Sequence, residues 1–409
     1  MRVLHLVSAV LIAASAAAQQ PAPQQAPTIV VTGPRIQDYR DRLAQCLARR
    51  CPTNEDADAT LALAEALLLQ GDYRGSRDVV QASLRRNARQ AGAFPEPVSD
   101  LYRAHARLSH HLGFASDARR STFGILSALQ AGLPEEDHRH FTARFELSEY
   151  LIQSGNIGSA RRELARLIDA ARAAGRDDVV ALAELRRLWF DYIAGRAGEE
   201  GSRGQDARLE LMRLARLTGP AERMRSIGAR ILLSRIHRIE GRAAQADALL
   251  AEIGRSNTGR PGRRLLFSPP YELVEHQVEP MMGATSLREL IQFSSGYGQT
   301  PDNFEGKWID VGFWVMPDGR VSGLEILRRG AAADWADPLI VSIRGRRYAE
   351  AAEPSYRLER YTYTSDYERV LRSRIAQRSR RARVEYLDLT TGETPAAATP
   401  PPAAEGPSE

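Results

Sequence analysis

Between Asp56 and Arg255 the apolar residues recur at helical spacing, interrupted by glycine-centred turns, whereas from Lys307 onward they alternate. In KWIDVGFWVM, Ile309, Val311, Phe313 and Val315 fall on one face of an extended chain and Asp310, Gly312 and Trp314 on the other, which predicts a strand. PDGR follows. Asp318-Gly319 predicts a hairpin turn, because glycine accepts the positive φ such turns demand, and Val321 to Leu327 predicts the returning strand. After Gly330 the pattern becomes helical: Asp337 is placed to cap, Pro338 suits the first helical position, and Leu339, Ile340 and Ile343 supply an apolar stripe before Gly345. A third strand is predicted over Tyr356 to Thr364, which alternates aromatic, charged and hydroxyl side chains. The order is strand, turn, strand, helix, strand. Around this block, Pro269, Pro270 and Pro280 mark irregular chain, Thr285 to Phe293 predicts a short capped helix, and Val384 to Leu389 a further strand.

In the helical stretch, ATLALAEALLLQGDYRGSRDVVQASL fits the tetratricopeptide pattern. Leu63, Ala64 and Leu67 lie on a first helix, Gly71 and Tyr73 at the turn, and Ser76, Val80 and Ser83 on a second helix. Turn glycines recur at Gly113, Gly155, Gly195 and Gly241, roughly 42 residues apart against roughly 34 in the standard repeat, which predicts longer helices on the same hairpin plan. Each hairpin has an apolar face it cannot bury alone, so stacking creates one continuous core, with small residues such as Ala118, Ala160 and Ala246 at the close approaches. The predicted product is a curved solenoid suited to binding. RSNTGRPGRR, Arg255 to Arg264, reads as the linker that follows it.

The wording V-x-F-x-V-x-P-D-G-R-V-x-x-L-x-I-L, from Val311 to Leu327, with the helix and strand after it, resembles the carboxy-terminal domain of the TonB family of periplasmic energy-transducing proteins. The resemblance implies a small α+β domain, an antiparallel sheet with one or two helices, that pairs a strand edge with an extended receptor peptide, the TonB box. Carried onto this chain, it implies that the third strand is the peptide-binding edge: Tyr356, Arg357, Leu358, Glu359, Arg360, Tyr361, Thr362 and Tyr363. The sequence departs from the family at Tyr348, which is followed by Ala349 and Glu350 where an aromatic-x-Pro is frequent.

At the amino terminus, Met1-Arg2 gives a positive start, Val3 to Ala18 is apolar, and Ala16-Ala17-Ala18 offers a cleavage site before Gln19. The run contains His5, Ser8 and Ser15 and is shorter than the roughly 20 residues a membrane span needs, so it reads as a secretory signal peptide and places the mature chain in the periplasm. A retained anchor is the alternative. Gln19 to Ala26 is a Gln, Pro and Ala spacer. Next, Thr28, Ile29, Val30, Val31 and Thr32, with Gly33, Pro34 and Arg35, resemble the TonB box itself, the plainer reading being a short extended lead-in. If the resemblance holds, both halves of a peptide–domain pair lie in one chain, and pairing runs within a chain or between copies. Cys46 and Cys51, the only cysteines, read in an oxidising compartment as a disulfide stapling the first helix, since a metal site wants two further ligands and a redox pair the CxxC spacing.

The formal net charge of +5 comes almost entirely from arginine, Lys307 being the single lysine. A chain-wide arginine bias says little about any partner, and export makes nucleic acid a poor one. The run Arg369, Arg372, Arg374, Arg378, Arg380, Arg381 and Arg383 reads as a solvated face or tail, contact of segment 369–383 with anionic lipid being the other reading. His138 and His140 point to different sides of a helix, and His110-His111 likewise, so neither pair predicts a metal site. With no nucleophile elbow, phosphate-binding loop or HExxH motif, neither enzymatic activity nor a cofactor is expected.

The sequence thus predicts a multidomain chain: signal peptide 1–18, flexible lead 19–36, an all-α tetratricopeptide-like solenoid 37–255, linker 256–268, a TonB-C-like α+β domain 269–390 and a disordered tail 391–409. The expected function is that of an exported, non-enzymatic interaction protein that binds a protein or peptide by strand addition in envelope transport, its partner an outer-membrane receptor or a second copy of itself. A membrane-anchored TonB-type transducer for outer-membrane receptors is the alternative.

Overall fold

A computed structural model describes residues 35–196, 202–256, 265–273, 304, 306–331, 333–369 and 376–390. The signal segment, Thr28–Thr32, the capped helix at 285–293, most of the 255–264 linker and the 391–409 tail lie outside the described residues.

Eleven helices precede the sheet among the described residues: α1 (Ile36–Ala48), α2 (Thr53–Leu69), α3 (Tyr73–Asn87), α4 (Pro95–His111), α5 (Ala115–Gly132), α6 (His138–Gln153), α7 (Ile157–Ala173), α8 (Asp177–Arg196), α9 (Arg203–Ala215), α10 (Arg223–Ile239) and α11 (Ala243–Ser256). From α2 on they pack as successive hairpins, α2 with α3 through α10 with α11, and each hairpin touches the next. The pairs close the way the repeat pattern predicts. Gly71 takes φ 89° and ends α2 with two bonds, Gly71 N–H to Leu68 O and Asp72 N–H to Leu67 O, both 2.9 Å. This left-handed cap satisfies carbonyls that the helix end leaves orphaned. Asp72 then caps α3, accepting from the Gly75 amide at 2.8 Å. The same two-bond ending recurs at Gly113, Gly155 and Gly241.

Gly195 departs from the prediction. It lies inside α8, and a Cβ there would come 2.7 Å from the Cα of Gly204 on α9. Its role is close helix approach rather than a turn. Ala118, Ala160 and Ala246 are buried, as the packing argument requires. Inside the first hairpin, buried Asp56 accepts from Arg86, Ser83 and Asn87 and ties α2 to α3. Burial alone would raise its carboxyl, but these hydrogen bonds outweigh burial and hold it down to about 2.

The carboxy-terminal part contains β1 (Leu265–Phe267), β2 (Trp308–Val315), β3 (Val321–Arg329), α12 (Asp337–Arg344), β4 (Arg347–Tyr348), β5 (Ser355–Arg369) and β6 (Ala376–Asp388). The predicted strand, turn, strand, helix, strand order is present. Asp337 is itself helical, behind a 3-10 turn at Asp334–Ala336, and its side chain makes no cap. The strand expected at 384–389 is the end of the longer β6, and β1 lies within the stretch read as linker, pairing with β4. The main sheet is antiparallel, in the order β3-β2-β5-β6. From Ile36 onward the described helices and sheet belong to one compact unit.

Candidate interaction surface

Both faces of β2 are buried, although only one is apolar. Ile309, Val311, Phe313 and Val315 pack with Trp335, Leu339 and Ile343 beneath α12, forming the core of the module. The opposite face rests on the helical hairpins. Trp308 joins Tyr73, Leu101 and Leu108 in a helical cluster, and its indole fills the space beside Gly71, where a Cβ would come 2.6 Å from Nε1.

Arg360 and Asp310, partners in the β2–β5 register, are fully buried on this face. The guanidinium grips the carboxylate with two bonds, Nε to Oδ1 at 2.6 Å and a terminal nitrogen to Oδ2 at 2.9 Å. It also donates to the Leu68 and Leu69 carbonyls at the end of α2, the latter at 3.0 Å, and lies 4.2 Å over the Trp308 ring. A cation at a helix C-terminus meets the negative end of the macrodipole and carbonyls without intrahelical partners. One side chain therefore joins two strands to a helix end. Burial disfavours the charged guanidinium, but the Asp310 hydrogen bond outweighs it and raises its pKa. Arg328 from β3 adds a second donor to Asp310 at 2.8 Å.

Further along the same face, Thr362 meets the Tyr73 hydroxyl at 2.9 Å, and Tyr73 stacks on buried His111 at 5.7 Å. Burial lowers the pKa of His111 to about 4. Glu385 on β6 pairs with His110 at 2.9 Å, and this hydrogen bond outweighs burial to hold its carboxyl at about 2. At the next turn the Tyr367 amide donates to the Gly113 carbonyl at 2.8 Å and its ring stacks on Phe114 at 5.2 Å. The sheet is thus seated on the α2–α3 and α4–α5 turns.

This seating and the strand order correct the expected peptide edge. Tyr356 through Tyr363 lie in the middle of the sheet, β5 being hydrogen-bonded to β2 on one side and β6 on the other. Tyr356, Leu358, Arg360 and Thr362 share the helix-facing side of the register with Asp310, while Arg357, Glu359, Tyr361 and Tyr363 share the α12 side with Val311. The backbone groups a peptide would need are taken by β6, the strand read from the sequence only as a short addition. The basic run is corrected at its two describable side chains. Arg378 stacks 4.3 Å over Tyr367, and Arg383 bonds Glu385 at 2.7 Å and the His110 carbonyl at 2.6 Å, so neither is a solvated charge. Cys46 and Cys51 form the expected disulfide, with Cα atoms 5.1 Å apart, fastening α1 to the start of α2.

On the α12 side, buried Arg346 donates to Glu359 at 2.7 Å and to the Tyr361 hydroxyl at 2.8 Å, while Tyr361 donates to Glu359. Burial and the Glu359 charge push the Tyr361 phenol up, so it stays protonated and serves as a donor. Among the described residues no cluster of His, Cys, Asp and Glu could hold a metal ion, and no helix is long and apolar enough to cross a membrane.

Two strands, β6 and β3, have a single neighbour in the main sheet, and β3 carries the exposed aliphatic residues. Among the described residues, a bridge from Arg320 to Arg347 covers the entry to β3. Beyond that, Ile326 and Leu327 are exposed large apolar residues. Nothing in the alternation of β3 or β5 marks one rather than the other as the edge. Two tryptophans, Trp308 and Trp314, on the nominally polar face of β2 were the available sign that this face is covered.

No family model and no curated protein matches the sequence. Among solved structures the chain is similar to two crystal structures of a Podosopora anserina protein of kinesin-light-chain type with nearly identical TPR-like repeats. Identities are 14% and 13%, the TM-score is 0.38 for each, and the matches cover 50% and 51% of this chain and 95% and 99% of theirs. It is also similar to BtubC (BKLC) from P. vanneervenii, at 17% identity and a TM-score of 0.39, covering 58% of this chain and 96% of that one. Likeness at these scores carries no argument, and the helical-repeat character of the chain rests on its own five hairpins among the described residues.

Proposed function

We propose that this chain is an exported, non-enzymatic interaction protein in which a tetratricopeptide-like solenoid holds a TonB-C-like sheet module, and that the module captures an extended peptide by strand addition at β3. The observation that carries the reading is the place of β3 at one end of the strand order, with exposed Ile326 and Leu327 along it. A strand edge offers unpaired backbone donors and acceptors, which supply affinity, while alternate side chains supply selection. The seating of β5 and β6 against the helical turns holds that edge at a fixed position. A periplasmic location is supported by the leader Met1–Ala18 and by the cysteine pairing.

The test is titration of a peptide with the sequence of Thr28–Arg35 into the mature chain, read by amide hydrogen exchange. Slowed exchange within Val321–Arg329, and weaker binding by a peptide carrying Val30→Pro, are the expected results, since proline removes a ladder donor. Absence of binding at about millimolar peptide, in the weak range for a single short segment, rejects strand addition at this edge. Amino-terminal sequencing of the protein from cell envelopes tests export separately: a start at Gln19 is expected, and an intact Met1 in the membrane fraction favours the anchored transducer instead.

A further inference from the structure

Where the α10–α11 turn meets β1, a cleft of about 530 Å³ opens between the solenoid and the sheet module. Its walls are mainly apolar, from Trp189 on α8, Ile239 at the end of α10, Leu265 and Phe267 on β1, and Pro270. Two arginines of α10 reach it, and they differ in their charge balance. Arg238 lies 4.1 Å over the Phe267 ring and is neutralised by an ion pair with Asp247. Arg235 lies 5.9 Å over the Trp189 ring and has no carboxylate partner among the described residues. Burial, with the like charge of Arg186 nearby, pushes its guanidinium below the ordinary value, so its charged form lacks compensation. Arg186 is itself paired, with Glu149. The cleft therefore combines an apolar body with one uncompensated cation.

We propose that this cleft binds an apolar carboxylate, a compact aromatic or branched aliphatic group bearing one acid, with the carboxylate on Arg235 and the body against Trp189, Phe267 and Leu265. A guanidinium offers a planar fork of donors that suits a carboxylate, and a volume of this size suits a ligand of one or two side-chain units. Two sources share this chemistry: a free small acid, and the terminal carboxylate of a chain ending in an apolar residue. The site uses neither the β3 edge nor the sheet seating, so it stands or falls apart from strand addition.

The test is calorimetric titration of the full mature chain with 3-phenylpropionate and with the tripeptide Ala-Ala-Phe, each as free acid and as amide. The acid is expected to bind at least about tenfold more tightly than its amide, because a charge-assisted hydrogen bond is lost in the amide. Arg235→Gln is expected to abolish that preference while leaving weak binding of the apolar body. Tighter binding by the tripeptide assigns a chain terminus and tighter binding by the small acid a free ligand, and either supports the site. Equal binding of acid and amide, or no binding by any of the four compounds, overturns the proposal from the unmodified protein alone. A change in Trp189 fluorescence on binding, lost in Trp189→Phe, places the ligand in this cleft.

Discussion

The two faces of the carboxy-terminal sheet are both buried at its central strands, β2 and β5, by different chemistry. The α12 side is an apolar core of Ile309, Val311, Phe313 and Val315 against Leu339 and Ile343. The other side carries Trp308, Asp310, Arg360 and Thr362 and is buried against helix ends. An antiparallel sheet normally leaves such a polar face in water. Here the face is satisfied because a helical hairpin presents carbonyls and hydroxyls at its turns, and charged side chains can reach them. The first face depends on shape and area removed from water. The second depends on every donor and acceptor finding its partner, so it should be more sensitive to single changes, to charge and to pH.

The largest effects should come from the polar face. Asp310→Ala leaves Arg360 buried without its carboxylate and is expected to cost about 3–5 kcal/mol, measured by urea unfolding. Replacing the pair together, Asp310→Leu with Arg360→Met, removes both charges and is expected to recover most of that loss. If the double variant is as unstable as the single one, the helix-end carbonyls rather than the ion pair dominate the face. On the apolar side, Phe313→Ala is expected to cost a similar 3–5 kcal/mol, with no rescue by changing a second residue. Gly71→Ala sharpens the contrast, because its Cβ would strike the Trp308 indole at a backbone φ of 89°. Exposure of Trp308, read as a red shift of its fluorescence, should accompany it.

The next effect is acid. Burial holds His105 and His111 at about 4, against roughly 6.5 in an unfolded chain. The unfolded state therefore binds more protons between those values, and stability, complete above roughly pH 6.5, falls as pH drops toward 4. For His111, at about 1.36 kcal/mol per pKa unit, the loss is on the order of 3 kcal/mol. Asp56 and Glu385, held at about 2, add a second loss below roughly pH 4. Unfolding midpoints for His111→Phe, which keeps a ring against Tyr73, should vary less between about pH 7 and about pH 4.5 than those of the unmodified chain. An unchanged slope would move the pH dependence away from the sheet seating.

Reduction of Cys46–Cys51 should have a smaller effect, roughly 2 kcal/mol, because the closed loop is short and only α1 depends on it. Least of all, Ile326→Ala and Leu327→Ala on the exposed part of β3 should change stability by no more than about 0.5 kcal/mol. They should nevertheless weaken peptide capture if strand addition uses that edge.

Local signals in the sequence were strong where the chain makes its own turns. The glycine at the end of α2, with Tyr73 two residues later, fixed the hairpin because a left-handed cap needs a glycine, and a helix end is a local event. The PDGR turn between β2 and β3 was legible for the same reason. Gly195 misled, since spacing cannot tell a glycine that ends a helix from one that lets two helices touch. The Asp310–Arg360 pair, fifty positions apart, left no local trace.

What the residues determined unaided is therefore the hairpin period of the solenoid, the identity of β2, β3 and β5 with the end of β6, and the apolar face of β2, since each follows from side-chain spacing along a few turns or a few extended residues. Tertiary structure alone decided that β5 is interior, that β6 rather than a visiting peptide occupies its free side, and that the polar face is buried on the helical turns. Alternation along a strand states which way each side chain points and says nothing about which strand lies beside it. Neighbours are chosen by backbone hydrogen bonds, which every residue but proline offers alike.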